Sequence, residues 1–166
     1  MIPVLNELRV GNRVWSMGGY PDHGAIEGPK VSIPADTGGS IAHTENPYPT
    51  MDQLLYVVRW DTGQTSKHYF KQLCGIGQYA TFADFQQAIE TAHGKAEVVI
   101  GPQGGFRQAS ADLVLVDGSA ARLELYEGQR HIWDYVIKPL LVKSDVALTE
   151  TKLEAKKPAR RAKNAG

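Results

Sequence analysis

Three sets of side chains in this sequence have the types and spacing to do chemistry. Asp61, His68 and Cys74 follow one another at short intervals, and an acid, an imidazole and a thiol are the parts of a nucleophile–base–orienter set. Residues so spaced along a hairpin need not converge, and lone cysteines are usually buried and inert. A small hydrolase or transferase using His68 and Cys74 is therefore the alternative, not the first reading. His43-Thr44-Glu45 matches the H-x-E of zinc deaminases. Those enzymes also need a P-C-x-x-C ligand pair, which the single cysteine of this chain does not supply. A polar loop accounts for the triplet, and no metal site is expected.

Gly75-Ile76-Gly77-Gln78-Tyr79-Ala80 matches G-x-G-x-x-A, and Glu97 follows at the distance of a ribose-binding acid. A dinucleotide fold needs a buried apolar strand feeding this turn and a helix that starts within it. Residues 69–74 are half polar, and the helix cap arrives late, at Thr81. A flexible linker between two subdomains explains the glycines better, and no cofactor is expected.

The formal net charge of zero hides an asymmetry. Residues 152–166 carry Lys152, Lys156, Lys157, Arg160, Arg161 and Lys163 against Glu154, a net of +5, so the rest of the chain carries −5. Clustered cations neutralise phosphates and release counterions, which gives affinity without sequence preference. A solvated, solubilising terminus is the competing reading. With one cysteine no intrachain disulfide forms, no apolar run reaches the roughly 20 residues of a membrane span, and the first residues lack a signal-peptide pattern. A cytoplasmic protein without membrane contact is expected.

The elements that must position these groups read as mainly β. Residues 10–18 form a first strand, and residues 24–33 a second one interrupted at Gly28-Pro29. Residues 34–52, rich in Gly, Pro, Thr and Asn, read as a long irregular loop. Leu54, Tyr56, Val58 and Trp60 then share one face of a strand, with Leu55, Val57 and Arg59 on the other. Asp61-Thr62-Gly63-Gln64 turns the chain, Gly63 being free to take a positive φ, and residues 65–73 return as a hairpin partner. Thr81 with Asp84 starts a helix that carries Phe82, Phe85, Ile89 and Ala92, and Gly94 is suited to end it. Strands follow over 97–100, 113–116 and 121–126, with Asp117-Gly118 as a turn. Residues 131–142 fit a helix by spacing, but their β-branched and aromatic content and Pro139 favour a strand. Beyond Lys156 apolar side chains are too few to offset ordering entropy, so disorder is expected.

Val10-Gly11-Asn12-Arg13-Val14, then Gly24-Ala25-Ile26-Glu27, then Tyr56-Val57-Val58-Arg59-Trp60-Asp61-Thr62-Gly63 resembles the SH3-like small barrels of the Tudor and KOW kind. The resemblance covers residues 8–76 and implies a binding surface rather than a catalytic one. It gives an N-terminal SH3-like small barrel at 1–77; residue patterning and charge add a helix plus antiparallel β-rich region at 78–145 and a partly disordered basic tail at 146–166. The expected function is a non-catalytic interaction module for nucleic acid or a partner protein; an accessory subunit of a larger assembly is a further alternative. Contacts are expected from Trp15, Tyr20, Arg59, His68 and Tyr69, with Lys156, Lys157, Arg160, Arg161 and Lys163 adding electrostatic affinity. A small-molecule substrate is not expected. Tyr56 and Trp60, which share a face with Val58, are expected in the core.

Overall fold

The computed structural model describes residues 2–17, 33–48 and 53–154. Tyr20, the tail cations from Lys156 onward and residues 24–32 of the expected second strand lie outside them. Within the described residues the chain is mainly β, with two sheets. The first has the order β4-β3-β2-β1-β5, all neighbours antiparallel, from β1 (Arg13–Ser16), β2 (Thr37–Tyr48), β3 (Gln53–Trp60), β4 (Thr65–His68) and β5 (Cys74–Gly77). The ladder does not close, because its outermost strands β4 and β5 do not pair.

The expected hairpin is β3–β4, with Tyr56 opposite His68 and Arg59 opposite Thr65. Gly63 adopts φ 94°, and its N–H bonds to the Trp60 carbonyl. The returning strand is shorter than expected: it ends at His68 and passes into a 3-10 turn, Phe70–Gln72. Val58 and Trp60 are buried with Val14, Ile41 and Leu73, and Tyr56 packs at the edge of that cluster. Leu55 and Val57, on the other face of β3, are buried as well.

The expected loop at 34–52 is corrected, since residues 37–48 form β2. Its glycines serve close packing. A Cβ on Gly39 would lie 2.7 Å from the Trp60 ring and 2.8 Å from Val58. Register shifts between Ile41 and His43 and between Glu45 and Tyr48 bend the strand, as bulges do.

The Gly75–Gly77 segment is also corrected. It is a buried strand, β5, and a Cβ on Gly75 would lie 2.5 Å from the Asn6 carbonyl oxygen, while one on Gly77 would strike that of Leu5. These glycines let the N-terminal segment lie flat on β5, so they form neither a phosphate loop nor a flexible linker.

The second sheet has the order β8-β7-β6-β9, from β6 (His93–Ile100), β7 (Phe106–Val114), β8 (Ala120–Tyr126) and β9 (Asp145–Lys152). β6 and β9 run parallel, the other pairs antiparallel. β9 occupies residues that the sequence assigned to the tail. Ala96, Val98, Ala109, Ala111, Leu113, Ala121, Leu123 and Leu125 alternate inward under the helices, each large side chain contributing about 1.5–3 kcal/mol on burial.

Helix α1 (Phe82–Glu90) is capped by Thr81, whose hydroxyl accepts from the Asp84 N–H at 3.2 Å. It ends at Thr91, and Gly94 lies in β6 instead of closing the helix. Residues 131–142 are helical: α2 (Arg130–Ile132), a π turn (Trp133–Ile137) and α3 (Lys138–Lys143), with Pro139 in the first turn of α3. The strand reading fails because Ile132, Trp133, Val136, Ile137, Leu140 and Leu141 all bury against the sheet at helical spacing. Pro139 is tolerated where the π turn already breaks the α ladder.

The two sheets share structure. Leu5, Cys74 and Ile76 from the first 77 residues belong to the second core. The N-terminal segment runs beside β8, with the Leu5 N–H bonded to the Arg122 carbonyl and the Arg122 N–H to that of Pro3. Arg13 spans the junction, donating two bonds to Asp61 at 2.9 and 2.7 Å, one to Ser40 Oγ, and two to the Ala80 carbonyl just ahead of α1.

Candidate interaction site

The candidates singled out by type do not converge. His68 is buried, its Nε2 lying 2.5 Å from Ser66 Oγ, which also accepts from the Trp60 indole N–H at 2.8 Å. Cys74 sits on the strand at the other end of the ladder, within the second core, where burial pushes its thiol up to about 12. Asp61 is committed to Arg13, whose hydrogen bonds hold its carboxyl below the usual carboxylate range. A nucleophile–base–orienter set is therefore not assembled from these three residues. His43 is exposed on β2, with Nε2 3.2 Å from Glu45, which also pairs with Lys67 at 3.0 Å. Among the described residues no group of three or more His, Cys, Asp or Glu is arranged to hold a metal ion.

The expected contact residues are dispersed. Trp15 stacks on Phe82 of α1, ring centroids 3.8 Å apart, so it joins the first sheet to the helix. Arg59 is exposed on β3. Tyr69 opens the 3-10 turn, where its N–H bonds to Gln72 Oε1 at 3.1 Å.

What the fold does bring together lies where the first sheet meets β8. A cleft of about 240 Å³ is lined by Val4, Asn6, Glu7, Leu8, Tyr56, Phe70, Glu124, Tyr126 and Gln129. The N-terminal segment supplies Val4, Asn6, Glu7 and Leu8, β3 and the 3-10 turn supply Tyr56 and Phe70, and β8 supplies Glu124 and Tyr126. Asn6 fixes the junction: its Nδ2 donates to the Glu124 carbonyl at 2.7 Å and its Oδ1 accepts from the Glu124 N–H at 3.1 Å. Buried Gln129 ties both walls, accepting from the Tyr126 N–H and donating to the Phe70 carbonyl.

The Tyr126 hydroxyl donates to Glu124 Oε1 at 2.8 Å, and Arg122 Nε donates to Oε2 at 3.1 Å. These bonds, that of Tyr126 first, keep the Glu124 carboxyl ionised below its usual range. Glu124 in turn raises Tyr126, while burial raises Tyr56. Phe70 and Tyr126 remain exposed although both are large. The cleft thus offers aromatic side chains beside two carboxyl groups, Glu7 and Glu124.

Sequence reasoning found Tyr56 but assigned it to the core, and it missed Glu7, Phe70, Glu124 and Tyr126. One signal was present: Arg122, Glu124 and Tyr126 alternate along β8, which puts a guanidinium, a carboxylate and a phenol on one face. Compared with protein-family models, curated proteins and solved structures, the chain matches none of them.

Proposed function

We propose that this chain is a non-catalytic interaction module whose body recognises a partner protein and whose basic tail adds electrostatic affinity. The observation that carries the reading is the open aromatic cleft between the two sheets, rimmed by Glu7 and Glu124. Acidic side chains beside accessible rings suit a polypeptide partner and disfavour phosphates. The tail gives a second reading, nucleic acid, its specific observation being five cations without an acid beyond residue 154.

We further propose that the first sheet is an SH3-like small barrel. Three features support this: β5 returns to pair with β1, the bulged β2 bends the ladder, and Val14, Ile41, Val58, Trp60 and Leu73 meet in one core. Burial of Cys74 and His68 counts against the alternative of a hydrolase or transferase using that pair.

Affinity capture from native lysate, with and without nuclease, tests the functional reading. The account expects a stoichiometric protein partner that survives nuclease and is captured less well by Tyr126→Ala. Capture of nucleic acid alone, abolished by nuclease, would transfer the function to the second reading.

A further inference from the structure

The cleft's chemistry points to one kind of ligand group, and the argument rests on the interaction-module reading. Its three rings come from three separate elements: Tyr56 from β3, Phe70 from the 3-10 turn and Tyr126 from β8. Aromatic faces attract a cation through the negative charge of the ring face, and they also accept the methylene stem that carries it. Glu7 and Glu124 line the same space, one on the N-terminal segment and one on β8. Glu7 engages Arg9 through Oε2 at 3.1 Å, and Glu124 engages Arg122 and Tyr126. Neither Arg9 nor Arg122 lines the cleft. Carboxylate oxygens accept more than one bond, so both acids retain capacity toward a second cation. The remaining lining atoms on Asn6 and Gln129 are occupied in holding the walls together. A volume of about 240 Å³ suits one long side chain, not a folded surface.

We propose that this cleft receives a lysine or arginine side chain presented by a partner protein, its stem between Tyr56, Phe70 and Tyr126 and its charge at Glu7 and Glu124. Charge complementarity favours this occupant, since the rim is acidic and the chain outside the tail carries a net −5.

The test uses the full-length, ¹⁵N-labelled chain titrated with a capped Gly-Arg-Gly peptide, a Gly-Lys-Gly peptide and a Gly-citrulline-Gly control of the same shape without charge. Saturable amide shifts clustered at Tyr56, Phe70, Tyr126 and Gln129 are expected for the two cationic peptides and not for citrulline. The Glu7→Gln/Glu124→Gln pair should weaken binding about tenfold, the loss of roughly one charge-assisted contact. Tyr126→Ala should weaken it several-fold without unfolding the chain, because that side chain is half exposed. Equal shifts with citrulline, or shifts that avoid the cleft, would overturn the proposal. Shifts at the cleft on replacing the tail cations with serine, with no peptide present, would assign the site to the chain's own tail and overturn the partner assignment. A chain that captures a protein partner through another face would fail this test while leaving the interaction-module reading intact.

Discussion

The Cys74 thiol lies wholly within the second core, where burial pushes its pKa up to about 12. In the unfolded chain the same thiol loses its proton from about pH 8.5. The folded value is the higher one, so this group's contribution is intact below about pH 8.5 and is lost as pH rises toward 12. Above the lower value the loss approaches about 1.4 kcal/mol per pH unit. Urea midpoints measured between about pH 8 and 10 should therefore fall less steeply in Cys74→Ala than in the parent chain; parallel curves would contradict the burial. Trp60 is decided by packing too. It closes the first core and donates to Ser66, so Trp60→Ala should cost about 3–5 kcal/mol and lower the melting temperature sharply. An unchanged melting temperature would contradict its place there. Alternation along residues 54–60 was enough to find this tryptophan. The cleft residues escaped because their neighbours come from distant segments: Asn6 and Glu124 are 118 positions apart.

At the level of elements, signals with a local cause were legible. The Asp61–Gly63 turn, the Thr81 cap and the Asp117–Gly118 turn each follow from one residue's backbone or hydrogen-bonding preference, and each stands where it was read. β2 was illegible because Gly38, Gly39 and Pro47 resemble a loop, while its pairing with β3 depends on partners far along the chain. The segment over α2, the π turn and α3 misled for a related reason: composition favoured a strand, and burial of one helical face against the second sheet prevailed. Close approach at Gly39 yields a prediction at this scale. Gly39→Ala inserts a methyl group against Trp60 and Val58 and should cost on the order of 1–3 kcal/mol, read as a lower denaturant midpoint. A neutral substitution would mean that β2 and β3 do not approach as described.

Across the whole molecule, the N-terminal segment, β5 and the Arg13 bonds couple the two sheets, and the cleft exists only because they meet. No helix among the described residues is long and apolar enough to cross a membrane. Charge is divided between a body of −5 and a tail of +5, and the functional account divides binding in the same way. On the reading proposed above, the body holds a basic protein segment and any affinity for phosphates resides in the tail. The most direct test is a salt titration of duplex DNA binding by the full-length chain and by a variant with Lys156, Lys157, Arg160, Arg161 and Lys163 replaced by serine. The account predicts that any binding by the parent has a log–log slope no steeper than roughly −5, and that the variant loses it for all sequences alike. Binding that survives the replacement with an unchanged slope would mean that the body itself attracts phosphates, and it would contradict the assignment of the acidic cleft to a protein partner.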